Sequence, residues 1–455
     1  MKHLHFIAIG GAAMHNLAIA VSKKQNYIIT GSDDEIFEPS KSHLIKAGLL
    51  PEKMGWFPEK ITKELNAVIV GMHARADNPE LLRAKELGLD IYSFPEYLYY
   101  QTQKKTRIVV GGSHGKTTTT ALILHVLHKR SMPVDYMVGA QLDGFETMVK
   151  LSYDAPIAVF EGDEYLSSPL DPRPKFHLYH PHIAVLTGIA WDHINVFPTF
   201  EMYVDQFKKF ADLIERDGRL IYNGKDPEVQ NIATNLRTDI VAIPYDDPEY
   251  EISNSITSII YKGVKYPLQV FGEHNLQNIA AACLVCKQLG VQENDFYAAI
   301  QDFKGASNRL QKIAETTDAI AYKDFAHASS KVKATVDAVK RQYPDKELVA
   351  CLELHTFSSL QAEYLPQYHD CMKNADKAFI YFNPEVIAHK QLPPLSEQSV
   401  KEAFGEDNVH VFSDSSLLQS ALRSINFQNK VLLFMTSGTF SGINLEIFAN
   451  ELLKR

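Results

Sequence analysis

Short apolar runs alternate with amphipathic stretches along most of this chain. Between residues 4 and 98, LHFIAI, NYIITG, AVIVG and DIYSF read as strands, whereas MHNLAIAVSKK, KSHLIKAG and NPELLRAKELG carry helical spacing. That alternation predicts a parallel sheet with helical crossovers. The polar stretch QTQKKT interrupts it near residue 104. A second series opens with the strand TRIVV and the helix TTTTALILHVLHK and continues through the strands PIAVF and IAVLTG. It then enters a β-rich stretch, ISNSITSIIYKGVKYPLQV, and two helical segments, NLQNIAAACLVCKQLG and NDFYAAIQDF. Beyond Gly305 the theme returns, with IAYKDF, ELVACLEL, KAFIYF, VHVFS and KVLLFM as strands between helical patterns. The expected fold class is α/β in three parts, residues 1–104, 105–305 and 306–455.

The bulk properties agree with this division. A chain of 455 residues exceeds one ordinary domain, and 45% hydrophobic with 22% charged residues is the composition of a soluble globular protein. A net charge of -9 gives no general reason to expect nucleic acid or an anionic membrane as partner. No run is long and apolar enough for membrane insertion, and the opening MKHLHFIAIGG passes straight into a domain pattern without a cleavage site. The four cysteines are too sparse for a disulfide scaffold; Cys283 and Cys286 form a CxxC inside a helical pattern, so buried helix positions are expected rather than a metal site. A reduced, cytoplasmic setting follows.

Candidate chemistry begins at GGSHGKTTTT, residues 111–120. The usual phosphate-loop signature has four residues between its first glycine and the Gly-Lys-Thr triplet. Counting back from Gly115, that glycine falls on Val110; from Gly111 the loop is one residue short. Strand, glycine loop and helix nevertheless come in the required order, so backbone N–H groups and the positive helix end can face an anion. Lys116 is then expected at the β/γ-phosphates and the Thr117 hydroxyl on Mg2+. PIAVF ends at Glu161 in EGDEY, and IAVLTG leads to Trp191, Asp192 and His193. Ligands of open parallel sheets gather beyond the carboxyl ends of the strands, so these segments should meet at one edge as a Mg-nucleotide site. The amino-terminal loop IAIGGAAMHN departs from GxGxxG at Ala12, yet Gly10 and Gly11 follow a strand and Asp33 follows the next. That arrangement can hold a diphosphate and a ribose; a helix-packing turn is the plain alternative.

Taken in order, GGSHGKTTTT, EGDEY, WDHINVFP, GEHNLQNIAAA, SNRLQ and DFAH resemble the ATP-dependent Mur ligases of bacterial cell-wall synthesis over nearly the whole chain, and the shortened loop is that family's form. The resemblance implies an amino-terminal UDP-sugar domain, a central ATPase and a carboxyl-terminal Rossmann-like domain that closes over the site. It implies ATP and Mg2+ as cofactors, with a substrate carboxylate activated as an acyl phosphate and attacked by an amine. It assigns Gly112, Ser113, His114, Gly115, Lys116, Thr117 and Thr118 to the nucleotide, and Thr117, Glu161 and His193 to the metal. Asn275 and Asn278 are assigned to the adenine, with His274 a weaker candidate; helix capping is their structural alternative. Arg309 and Asp324 would contact phosphate and ribose, and His327 would lie on the amine side. Lys116, Glu161, His193, Arg309 and His327 form the expected catalytic set, and Gly10, Gly11, Asp33, Arg75 and Asn78 the UDP-sugar set.

Within the family, DPRPKFHLYHP (171–181), GMHARADNPE and SGTFSG resemble the murein peptide ligase branch, which joins L-alanyl-γ-D-glutamyl-meso-diaminopimelate to UDP-N-acetylmuramate in peptidoglycan recycling. Arg173, Lys175 and His177 could then meet the peptide's carboxylates, against the alternative of a solvated basic loop. The alanine-adding biosynthetic branch is the nearest alternative amine specificity. A folate-polyglutamate-type ligase or a non-hydrolysing nucleotide-binding regulator are more distant ones. Several positions depart from the family pattern: Asn195 stands for the second aspartate of DHxD, Phe207 and Lys208 flank the place of a carbamylated lysine, DFAHASS replaces DFAHHPT, and ELHTFSSL replaces an arginine-rich segment.

Overall fold

The computed structural model describes every residue except 73, 143, 169–170, 193–195, 307–308, 406 and 455. Three largely parallel sheets carry its framework. The first has the strand order Tyr27–Ser32, Lys2–Ile7, Ala67–Val70, Ile91–Ser93, with parallel neighbours. The second runs Val241–Tyr245, Arg219–Asn223, Ile183–Leu186, Thr106–Gly111, Ile157–Glu161, Val134–Met137, Val149–Lys150, the last of these being an antiparallel edge. The third runs Gln311–Glu315, Ile320–Asp324, Lys430–Met435, Glu347–Leu354, Lys377–Phe382, Val409–Phe412, with the antiparallel strand first.

Burial on both faces explains why the central strands read as unbroken apolar runs. In Glu347–Leu354, the alternate residues Leu348, Ala350, Leu352 and Leu354 join one core cluster while Val349 and Cys351 join another. The β-rich stretch forms a separate three-stranded antiparallel sheet, Tyr250–Ser253, Ile256–Tyr261 and Val264–Pro267. Its two-residue turns, Asn254-Ser255 and Lys262-Gly263, have positive φ at both positions, the geometry whose twist matches a hairpin. The CxxC lies as expected: Cys283 and Cys286 are buried in the helix Glu273–Gln288.

The chain divides into two compact units. One comprises Met1–Ile189, Thr199–Asp246 and Ala281–Val291, and so contains the first two sheets; the other comprises Ala190–Pro198, Asp247–Ala280 and Gln292–Arg455. Among the described residues no helix is long and apolar enough to cross a membrane. Inside the first unit, Arg107 joins the two sheets' connecting segment to the rest. Its guanidinium is buried, donates to the carbonyls of Thr102, Gln103 and Lys105 and to those of Tyr179 and His180, and pairs with Glu215 at 2.8 Å. Such a cation tolerates burial because its planar fork finds an acceptor in each direction.

Candidate active site

The strand Thr106–Gly111 is buried from Arg107 onward and ends in the shortened glycine loop, after which the helix Lys116–Lys129 begins. Gly115 caps that helix in the left-handed region, with φ 78°, and Gly112 has φ 133°, conformations that cost a glycine little. Neighbouring strand ends hold the loop. Thr187 N–H donates to the Gly111 carbonyl (3.1 Å), Ser113 N–H to the Gly188 carbonyl (2.8 Å) and Gly162 N–H to the Val110 carbonyl (2.8 Å). The Thr187 hydroxyl also donates to the His114 carbonyl. Three strand ends therefore converge at the carboxyl edge of the second sheet, on either side of the loop strand.

Charged groups complete this edge. Lys116 Nζ lies 2.6 Å from the Gly112 carbonyl and 2.7 Å from Glu164 Oε2. Burial opposes the lysine's charge, but the carboxylates of Glu164, Asp163 and Glu161 outweigh it and raise the lysine's pKa above its ordinary value. Thr117 donates to Glu161 Oε1 at 2.8 Å, and Gly139 N–H donates to Glu161 Oε2 at 2.6 Å. One hydroxyl and one carboxylate at a helix N-terminus suit Mg2+, which takes few protein ligands and completes its shell with phosphate oxygens and water. No group of three His, Cys, Asp or Glu side chains placed to hold a metal occurs among the described residues. His193, the third expected metal ligand, and Asn195 lie outside the described residues.

The loop residues Gly112 to Thr118 thus share one site with Glu161. Sequence reasoning missed Glu164, Tyr203 and Thr187. Glu164 was in view within EGDEY, but nothing in a linear acidic run separates it from Asp163. Tyr203 comes from the helix Phe200–Asp212, and its hydroxyl lies 2.8 Å from Ser113 Oγ and 3.1 Å from Glu164 Oε1.

At the amino-terminal loop, Gly10, Gly11 and Asp33 come together. Asp33 accepts the Gly10 N–H at 2.7 Å and the Asp34 N–H at 3.0 Å, so its carboxylate clasps the loop that opens the helix Ala12–Ser22. Burial pushes its pKa up to about 6. Asn78 is instead the N-cap of the helix Pro79–Glu86, accepting from the N–H groups of Glu80 and Leu81, and Arg75 extends from the surface beside Asp77.

In the second unit, Asp324 closes the strand Ile320–Asp324 and accepts backbone N–H groups from Leu310 (2.5 Å) and Ala326 (2.7 Å). It therefore ties the residue after Arg309 to the DFAH turn, while the Arg309 guanidinium lies 4.8 Å from the centre of the Phe325 ring. His327 Nδ1 donates to the Phe325 carbonyl at 2.8 Å, which leaves Nε2 as the acceptor of the neutral ring. Burial first, then Lys331, depresses its pKa to about 4. Asp192 lies 3.7 Å from Lys331. Asn275 and Asn278 are buried within the first turns of Glu273–Gln288 and so are not its N-cap; the Asn275 amide donates back to the Phe271 carbonyl at 2.8 Å. His274 is held toward its neutral form by burial.

The 171–181 segment takes a course that its charge pattern did not announce. Leu166–Ser168 and Asp171–Pro174 pair as antiparallel strands, and a 3₁₀ turn follows over Lys175–Leu178. Arg173 is paired with Asp171 at 2.7 Å, Lys175 with Asp163 at 2.5 Å, and the buried His177 donates from Nε2 to the Gln206 carbonyl. The three basic groups are thus engaged within the chain. Phe176, fully buried, stacks on Phe210 and His177 and packs beneath Gly111, where an added Cβ would stand 3.2 Å from its ring. Phe207 completes this aromatic layer and Lys208 points to solvent, so neither residue flanking the family's carbamylated position brings an amine to the loop.

Comparison with known proteins adds a lineage to this geometry. A family model described as "Mur ligase middle domain" matches residues 110–286. The UDP-N-acetylmuramate–L-alanine ligase of Lactiplantibacillus plantarum is 31% identical over 441 residues, 95% of each chain, and that of Limosilactobacillus reuteri is 29% identical over 446 residues, again 95% of each. Among solved structures, a murein peptide ligase from Psychrobacter arcticus aligns with a TM-score of 0.64 at 21% identity, covering 100% of this chain and 98% of that one. The UDP-N-acetylmuramate–alanine ligase of Thermotoga maritima aligns with a TM-score of 0.70 at 19% identity, covering 100% and 99%. Both share with this chain the three-domain α/β architecture. The chain belongs to the Mur ligase family of ATP-dependent, ADP-forming ligases of peptidoglycan synthesis.

Proposed function

We propose that this enzyme joins UDP-N-acetylmuramate to the amino group of L-alanyl-γ-D-glutamyl-meso-diaminopimelate in the cytoplasm, as a step of peptidoglycan recycling. The observation that carries the ligase chemistry is the shortened phosphate loop itself, with Lys116 and Thr117 at a helix N-terminus and Glu161 on the Thr117 hydroxyl. Mg-ATP, when bound, supplies the phosphoryl group that turns a carboxylate oxygen into a competent leaving group. The chain's own task is positioning and charge neutralisation, which dominate phosphoryl transfer. The N–H groups of the loop and the Lys116 ammonium would hold the phosphates, and Thr117 and Glu161 would hold the metal. Arg309 is proposed to add charge to the same reaction, Asn275, Asn278 and Asp324 to serve the nucleoside, and neutral His327 to face the amine.

The preference for a peptide donor is supported by the carboxyl edge of the third sheet. There the segment after Lys430–Met435, Ser437 to Gly442, carries small residues on either side of the buried Phe440 and is anchored by Glu353, which accepts from Phe440 N–H at 2.9 Å and from the Thr436 hydroxyl. Gly438 lies so close to His355 and Glu353 that an added Cβ would stand 2.7 and 2.8 Å from them. The sequence of that segment, SGTFSG, resembles the murein peptide ligase branch, and this resemblance is what supports a peptide donor. A second reading, free L-alanine as donor, is favoured by the names of the curated relatives at 29–31% identity. ADP release should be measured with Mg-ATP and UDP-N-acetylmuramate plus either tripeptide or L-alanine, with products identified by mass. Turnover with tripeptide alone is expected; turnover with free L-alanine assigns the enzyme to the biosynthetic step.

A further inference from the structure

Each carboxylate of EGDEY has its own occupation. Glu161 receives Thr117 and Gly139, Asp163 pairs with Lys175, and Glu164 pairs with Lys116. Of these, Glu164 is the buried one, 1% exposed, and it pairs with the loop's phosphate-binding ammonium. Its other oxygen accepts the Tyr203 hydroxyl at 3.1 Å, and Tyr203, itself fully buried, lies 2.8 Å from Ser113 Oγ. Because a carboxylate only accepts, the tyrosine's proton goes to Glu164 and the Ser113 hydroxyl donates to the tyrosine oxygen. One buried carboxylate thereby grips the loop at both ends, at Ser113 through Tyr203 and at Lys116 directly.

From this geometry we propose that Glu164 is a positioning residue for the phosphate loop, orienting Lys116 for phosphoryl transfer while competing with the nucleotide's phosphates for its charge. Two consequences pull in opposite directions. Removing the carboxylate's charge leaves the Lys116 ammonium buried with less compensation, so an incoming phosphate gains more by meeting it. Removing it also frees the ammonium to wander, and small misplacements of a charge-stabilising group slow transfer steeply. Affinity and turnover should therefore separate, which a merely structural glutamate or a metal-holding one would not produce.

The inference rests on the phosphate-loop reading above, and the test keeps the two apart. ADP binding to the full-length protein is measured by calorimetry in EDTA and again with Mg2+, together with kcat and KM for ATP. Glu164→Gln is expected to bind Mg-free ADP several-fold more tightly than wild type, to show a larger ADP-induced rise in Tm, and to lose about tenfold to a hundredfold in kcat. Tyr203→Phe keeps the charge balance and should lower kcat with ADP affinity near that of wild type. Should Glu164→Gln fold poorly, Glu164→Asp, which draws the charge back from Lys116, is expected to shift affinity and kcat the same way by less. Equal or weaker ADP binding by the glutamate variants, with wild type binding normally, overturns the role given to Glu164 alone. Failure of wild type to bind ADP overturns the phosphate-loop reading and this inference with it.

Discussion

Lys116 stands between the Gly112 carbonyl and the Glu164 carboxylate, at the start of the helix Lys116–Lys129. An ammonium so held neutralises charge as it develops, and its removal is costly: Lys116→Ala should lower kcat/KM for ATP by about a thousandfold, read from steady-state ADP release. Lys116→Arg should not rescue it, because a planar fork does not fit a place shaped for a compact ammonium. His327 sets a different expectation. Its folded pKa of about 4 lies below the ordinary histidine value of 6.5, so below pH 6.5 the unfolded chain takes up a proton that the folded one refuses. Its contribution to stability is present above that pH and is lost as pH falls toward 4. Urea titrations at pH 7.5 and pH 5 should show a smaller drop for His327→Asn than for wild type. The strand–loop–helix order around Lys116 was legible from residue spacing, whereas the depressed pKa of His327 depends first on its burial, which packing sets and the neighbouring residues do not reveal.

At the scale of elements, strands buried on both faces announced themselves as apolar runs, and Glu347–Leu354 is the plainest case. The 166–178 hairpin and turn did not. Its basic residues read as contacts for a peptide's carboxylates or else as a solvated loop, yet it sends Phe176 into the layer beneath Gly111 and pairs Arg173 and Lys175 with Asp171 and Asp163. Arg173 also approaches Glu96 at 3.7 Å, and His180 packs on Tyr99, so the segment braces the last helix of the first sheet, Phe94–Thr102. Phe176→Ala should cost about 3–5 kcal/mol in unfolding free energy, the usual toll of an aromatic cavity. Arg173→Ala, an exposed pair, should change KM for the amine donor less than twofold, and a larger rise would return this residue to the peptide site.

At the scale of the whole molecule, Lys116 and Glu161 belong to the first compact unit and Arg309 to the second. In the proposed role, Arg309→Ala should lower kcat by about a hundredfold, read from steady-state ADP release. The sequence by itself determined the α/β class, the strand–loop–helix carrying Lys116 and Thr117, and the ordered motifs that mark the family. These depend on local periodicity, on glycine's conformational range and on spacing along the chain, all of which are written in one dimension. Only the tertiary structure decided that Asn78 caps a helix, that Arg173, Lys175 and His177 find partners within the chain, and that Glu164 and Tyr203 meet the loop at Lys116 and Ser113. Those outcomes turn on which charges and hydroxyls meet across 90 residues of intervening chain, as Ser113 and Tyr203 do, and a partner's identity is set by packing rather than by the residues beside it.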